Sequence, residues 1–378
     1  MKLNTARQLR RQLCGCGAVL LVASLLTACS ADQEPRPGAT SVPEVQAQDQ
    51  SIGLVLTDFS FEQPPIDADV ACPNGLNMNE FELAMSPFAP PELEIIQDMP
   101  PEAFLQKLRD AGAPDSCKDP TVYQDPSFRT MDITNTFAPG FDLRDSAPTA
   151  MTANCPSRRF TNPDGKTPVD NQLWRVLGCI KGYQRGDTID DYAQTNIREG
   201  ARTILLSISR PPNEEDPNAV DIGIFSSADP IPTDATGAIL SRASLQISEN
   251  PLHHNRVRGT LVNDIVNAGP FDLRLDFQGQ FLKSEYHFRN AHLRLELLPD
   301  GGATGLLGGY WDIEAFYDAY GRQATRSGSF FVGFTCPGMY AALQQLADAR
   351  SSPDSEKCDA ISTTFRISAM PAFVIVPE

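Results

Sequence analysis

Beyond residue 200 the chain alternates between apolar and polar positions. Val220, Ile222 and Ile224 are separated by Asp221 and Gly223; Phe271, Leu273, Leu275 and Phe277 by Asp272, Arg274 and Asp276; Leu293, Leu295 and Leu297 by Arg294 and Glu296. A period of two gives each segment one apolar and one wet face, which predicts antiparallel strands. Ile204, Leu206 and Ile208 predict another strand, and Thr364–Ser368 and Ala372–Val376 two more. Pro299-Asp300-Gly301-Gly302 reads as a turn, so the glycine-rich run 301–309 belongs to a hairpin. Two helical pieces, Ile313–Tyr320 and Pro337–Arg350, interrupt the strands. Regular helix–strand alternation, the mark of a parallel sheet, is missing. The pattern therefore predicts a mainly β chain, an antiparallel β-sandwich with a few peripheral helices over residues 126–378.

Helical spacing is local. Leu173, Leu177 and Ile180 recur at helix period behind Asp170-Asn171, either of which can cap the helix. Asp190 is placed to cap a second helix, Tyr192–Glu199, and Gly200 suits the left-handed residue that ends it. Upstream, Ser51–Asp58 reads as a short strand, Cys72-Pro73-Asn74-Gly75 as a turn, and Pro91–Ala111 as containing a helix with Phe104, Leu105 and Leu108 on one face. From Cys117 to Met151 the chain is rich in Pro, Asp and Thr with little periodicity, so residues 51–125 are expected to form a small N-terminal module.

The first residues change the picture from fold to address. Lys2, Arg7, Arg10 and Arg11 precede the apolar run Leu13–Leu26 with no acidic residue among them, the layout of an export signal. The run is shorter than the ~20 residues that span a bilayer. Leu26-Thr27-Ala28-Cys29 then resembles a bacterial lipobox. That resemblance implies cleavage of a signal peptide at residues 1–28 and diacylation of Cys29. Ser30, where the lipoprotein family uses aspartate to retain a product at the inner membrane, implies an outer-membrane lipoprotein. Residues 29–50 are Ala, Asp, Gln, Glu, Pro, Gly and Ser with almost nothing to bury, a composition that predicts a disordered tether spanning roughly 25 Å.

Composition narrows the partners. Removing the four signal cations from 31 Lys+Arg leaves 27 against 48 Asp+Glu, a net charge of about −21 on the exported part. This disfavours nucleic acid and anionic lipid surfaces. Of nine cysteines, Cys14 and Cys16 leave with the signal and Cys29 takes lipid. Cys72, Cys117, Cys155, Cys179, Cys336 and Cys358 remain, an even set that in an exported chain predicts three disulfides. Pairing of sequence neighbours is expected: Cys72 with Cys117, Cys155 with Cys179, Cys336 with Cys358. The chain contains no C-x-x-C, and therefore no redox or haem-attachment motif of that kind.

Candidate chemistry is sparse. Asn162, Asp164 and Asp170, with Gly165 and Thr167 between them, gather oxygens around a glycine turn, as a calcium loop does, though without the spacing of an EF-hand; the same residues serve equally as a turn and cap. Apart from this calcium reading no cofactor is expected. His253 and His254 are adjacent, and His287 and His292 are five apart, so on a continuous strand each pair would point to opposite faces. Asp312 and Glu314 would share one strand face at about 7 Å, suited to glycoside hydrolysis, but not if residues 313–320 are helical. Trp174 and Trp311 suit sugar stacking or core packing. G-x-S-x-G, H-E-x-x-H and P-loop motifs are absent.

At Cys72-Pro73-Asn74-Gly75-Leu76-Asn77, and again from Phe160 through Asp164-Gly165 to Val169-Asp170-Asn171-Gln172 and Gly178-Cys179, the chain resembles a group of exported proteins and lipoproteins of proteobacteria, over about residues 70–225. The resemblance implies one recurring exported fold and no particular activity. The expectation is a lipid-anchored, disulfide-stabilised, non-catalytic binding or scaffolding protein of the cell envelope with a protein or glycan partner; the alternative is a secreted hydrolase using a carboxylate pair. Metabolic labelling with a fatty acid checks the anchor: Cys29→Ala should abolish the label, and equal labelling of mutant and parent would remove the lipobox reading.

Overall fold

A computed structural model describes residues 51–378 apart from 65–66, 86–97, 111–114, 123, 133–136, 164, 166–167, 280–282, 324–328, 330 and 377–378. The strands are β1 (Ile52–Phe61), β2 (Phe160–Thr161), β3 (Pro168–Val169), β4 (Ile204–Ser209), β5 (Ala219–Ser226), β6 (Ala243–Gln246), β7 (His254–Val262), β8 (Ile265–Gln278), β9 (Lys283–Leu297), β10 (Ala303–Asp312) and β11 (Ala360–Ile375). Antiparallel pairing runs β1-β4-β5-β7-β8-β9-β10-β11 and returns from β11 to β1. Mainly β is correct, but the expected sandwich is replaced by one sheet of eight strands closed on itself. The alternation that suggested two packed sheets serves a barrel equally, because both turn one face inward.

The residues singled out for their period face the barrel interior. Leu273, Leu275 and Phe277 on β8 stand opposite Phe288, Tyr286 and Ser284 on β9, and Leu293 and Leu295 oppose Ala268 and Val266. An eight-stranded barrel is just wide enough for side chains to fill it. Here the filling is aromatic: Phe365 lies 4.5 Å from Phe59 and 4.8 Å from Phe61, and Trp311 lies 4.7 Å from Tyr286 and 5.1 Å from Phe288, centroid to centroid. Gly309 faces inward between these rings, where a Cβ would come within 3.0 Å of Phe288. The outer wall carries Asp221, Arg258, Arg274, Asp276 and Glu296. A charged exterior around an apolar interior is the reverse of a membrane-spanning barrel.

Residues 49–378 make one compact unit, so the separate module expected at 51–125 does not exist. β1 is a barrel stave, held between β4 and the last strand. β11 is likewise one strand where two were expected, and β6 pairs in parallel with its final residues. The segment between β1 and β4 clads the outer wall: Asp170 bridges to Phe141, and the Gln172 amide donates to Ser362 Oγ on β11 at 2.9 Å.

Helix Gln172–Leu177 forms as its spacing predicts, with Asn171 at the N-cap position but without a side-chain cap bond; Asp170 faces elsewhere. Helix Thr188–Arg198 starts earlier than expected because Asp187, not Asp190, accepts the Thr188 amide, and Gly200 takes the left-handed conformation at φ +72°. Helix Cys336–Leu346 packs against Gln172–Leu177, and residues 313–322 are helical, as Ile313–Tyr317 and a π-turn Asp318–Arg322.

All six remaining cysteines are paired, though not with their neighbours. The bonds are Cys72–Cys179, Cys117–Cys336 and Cys155–Cys358, at Cα separations of 5.7, 4.9 and 5.7 Å. Cys72–Cys179 closes a loop within the cladding, while Cys117–Cys336 and Cys155–Cys358 tie the cladding to the segment between β10 and β11. Phe365→Ala empties the centre of the aromatic core and should lower stability by about 3–5 kcal/mol. Thermal unfolding checks it; a loss under 1 kcal/mol would mean the interior is not close-packed.

Candidate functional site

Among the described residues the barrel interior is filled by side chains. At the end covered by helix Thr188–Arg198, Arg202 lies between the rings of Phe59 and Phe277, with its guanidinium carbon 4.9 and 5.1 Å from their centroids. It donates to the Phe59 carbonyl at 2.9 Å, while the Tyr286 and Tyr320 hydroxyls meet at 2.6 Å. The void beside them is about 10 Å³, room for no more than one water.

A second polar cluster lies between the cladding and the outer wall. Asp170 is fully buried: the Arg144 amide donates to Oδ2 at 2.9 Å, and the Arg159 guanidinium is 3.0 Å from Oδ1. Burial pushes its carboxyl up against the pull of those two partners. Asp348 accepts from the Ser362 amide and hydroxyl, both at 2.8 Å, and burial pushes it up to about 7. This network holds cladding to barrel, and both of its carboxylates are buried. Of the residues expected to hold calcium, Asp170 is therefore committed to the interior. Asn162 closes a turn through its carbonyl to the Gly165 amide at 2.8 Å, and Asp164 lies outside the described residues.

The remaining candidate is on the outer wall, beside the end closed by residues 313–322. Lys283, Glu285, His287 and Arg289 alternate along β9, and with Asp312, Ala315, Asp318 and Ser351 they border an open basin of about 440 Å³. Each carboxylate in it is engaged by the fold. Glu285 pairs with Arg274 at 3.2 Å and lies 3.4 Å from His253 Nε2. Asp312 accepts the Ala315 amide at 2.8 Å as the N-cap of its helix. Asp318 pairs with Arg322 at 2.9 Å and accepts from Gln323. The Lys283 and Arg289 side chains, in contrast, make no ion pair or hydrogen bond among the described residues. Burial, then the Arg274 and Arg289 charges, hold His287 below the usual histidine range, so it faces the basin neutral near pH 7. In a chain of net charge −17 this is a local reversal: the acids are spoken for and the cations are free.

The sequence-predicted residues are dispersed. His287 and His292 both face outward, contrary to the five-residue argument, because a bulge between the Tyr310↔Arg289 and Gly308↔His292 pairs inserts an extra residue and restores the face. His292 is half-buried against Phe141 and bonds Ser146 Oγ at 2.9 Å. His253 is buried and His254 bonds the Ser248 carbonyl. Glu314 takes the Tyr340 hydroxyl and lies 3.7 Å from Arg322, so it forms no acid pair with the capping Asp312. Trp174 and Trp311 are core residues, 4% and 0% exposed, and neither can stack on a sugar. Glu80, Cys117 and Cys336 converge, but the two sulfurs are bonded to each other and Glu80 accepts the Cys336 amide, which leaves no metal set. Lys283 and Arg289 were not distinguished in the sequence, and extending the period of β9 upstream from Leu293 would have turned them inward; the bulge near Asn290 is what puts them on the outer face. Comparisons with protein-family models, curated proteins and solved structures returned no match.

The buried acid yields a pH test. With a folded value near 7 against about 3.9 unfolded, native Asp348 keeps a proton that the unfolded chain releases, so its contribution to stability falls as pH rises from about 4 to 7 and then levels off. Asp348→Asn, permanently neutral, should remove that slope. Melting temperatures of parent and variant between pH 4 and 8 should diverge; parallel curves would show that Asp348 is ionised throughout.

Proposed function

We propose that this chain is a non-catalytic binding module of the cell envelope, anchored by lipid at Cys29 in the outer membrane, that takes the oxyanion group of its ligand at the Arg289 end of the basin, with Lys283, about 20 Å away along β9, adding positive potential. What supports the reading is the pairing pattern of that basin: Glu285 and Asp318 are paired with Arg274 and Arg322 and Asp312 is held as a helix cap, while the Lys283 and Arg289 side chains have no ion pair among the described residues and a neutral imidazole faces the basin. An arginine fork and a lysine ammonium suit phosphate, sulfate or carboxylate. The three disulfides are compatible with an oxidising compartment outside the cytoplasm. The hydrolase alternative loses its support, since its acids serve as a helix cap and an ion pair and its tryptophans are core.

Titration of the exported chain with inorganic phosphate, sulfate and acetate at low ionic strength, followed by NMR, tests this. One anion should bind saturably, and Arg289→Gln should weaken it about tenfold or more and Lys283→Gln by less, neither lowering the melting temperature. Non-saturating shifts, or shifts unchanged in both variants, would remove the site.

A further inference from the structure

The three disulfides sit in unlike surroundings. Cys72, Cys117, Cys179 and Cys336 are at most 3% exposed and belong to the main apolar core, so Cys72–Cys179 and Cys117–Cys336 are enclosed by packed side chains. The third bond joins Cys155, 4% exposed, to Cys358, the one cysteine of the six that is only partly buried. The chain around it is open to water: Asn154 and Pro156 flank Cys155, Glu356 and Lys357 precede Cys358, and all four are exposed.

This corner is held by polar contacts. Apart from Pro353 and the cysteine itself, residues 350–359 carry only polar side chains. Asp359 accepts the Ser351 amide at 2.6 Å and the Ser355 hydroxyl at 3.0 Å. Arg350 donates its amide to the Met151 carbonyl and Nη1 to the Ala150 carbonyl, both at 2.7 Å. A segment with few apolar contacts opens locally at much smaller cost than the whole fold. The β1–β11 seam and the aromatic core lie elsewhere, so the barrel stays closed when this corner opens.

A cation stands on the Cys155 side of the bond. Arg144 Nη2 donates to the Thr152 carbonyl at 2.9 Å and to the Cys155 carbonyl at 3.1 Å, while Nη1 is buried with no acceptor among the described residues. A guanidinium beside a sulfur favours its thiolate, and in exchange the sulfur that is the better thiolate leaves faster. Exposure therefore selects Cys358 for attack, and the unsatisfied guanidinium selects Cys155 as the leaving group.

We infer that Cys155–Cys358 is a thiol-exchange site on the folded protein, opened by a dithiol that attacks Cys358. The incoming thiolate bonds to Cys358 Sγ, the bond to Cys155 Sγ breaks, and its electron pair leaves on Cys155 beside Arg144. The second thiolate of the dithiol then displaces Cys358 from the mixed disulfide. The protein gains two electrons and two protons as a pair of thiols, and the dithiol, which supplies them, becomes a disulfide. The exchange requires neither the anion seat nor the lipid anchor.

The exported chain, folded and oxidised, is incubated with dithiothreitol well below its melting temperature, alkylated at intervals and peptide-mapped. Cys155 and Cys358 should be alkylated about tenfold sooner, or more, than the other four cysteines, with the melting transition still present. With glutathione in place of the dithiol, the mixed disulfide should form on Cys358 and the alkyl group should fall on Cys155. Arg144→Gln should slow the opening about tenfold, and Arg144→Lys, which keeps the charge, should restore most of the rate. Three bonds opening together, or either core bond opening first, would overturn the site. Glutathione on Cys155, or Arg144→Gln opening as fast as the parent at the same melting temperature, would overturn the assigned direction of attack.

Discussion

Everything in this molecule depends on the first strand pairing with the last. Until β1 lies against β11, the sheet has two open edges and its aromatic side chains face water on one side. Once the pairing is made, the edges vanish and the rings enclose one another. Phe59 and Phe61 from β1 and Phe365 from β11 sit at the seam. The seam is thus a backbone closure and the centre of the core at once, and contacts distant in sequence must all form together.

Closure also explains the division of chemistry. Among the described residues the barrel interior is filled by aromatic and aliphatic side chains, and the candidate basin lies on the outer wall. There, the cladding between β1 and β4 covers β10 and β11 through the Asp170 and Asp348 network and reaches β9 at Asn290 and His292, leaving the first half of β9 open. The basin forms where an uncovered strand meets the helical turn that follows β10. Its acids serve to cap and brace that turn, which is why they are unavailable to compensate Lys283 and Arg289.

Local features were legible in the sequence to the extent that they have local causes. The period of two on β5, β8 and β9, the turn at Asp300-Gly301, the helix after Asn171 and the left-handed Gly200 all follow from neighbouring residues. Closure was not legible, because alternation records that a face is buried and not what buries it. Disulfide partners were hidden for a related reason: cladding brings Cys117 and Cys155 to the far end of the chain, whereas spacing alone favours neighbours. The bulge near Asn290 reversed the argument about His287 and His292, and no residue in that stretch announces it; Asn290, at φ +51°, is the nearest to a signal. The charge balance of the basin required knowing which acids were already taken.

The disulfide connectivity bears on the order in which the chain can mature as it is made. Emerging from the amino end, Cys72 meets Cys117 and Cys155 long before its partner Cys179, and the latter two cannot find Cys336 and Cys358 until almost the whole polypeptide is present. The wrong bonds are the first ones available. β1 waits just as long for β11. Reaching the native state therefore requires that early thiols stay reduced or that early cross-links reshuffle, and closure comes only after the last residues emerge.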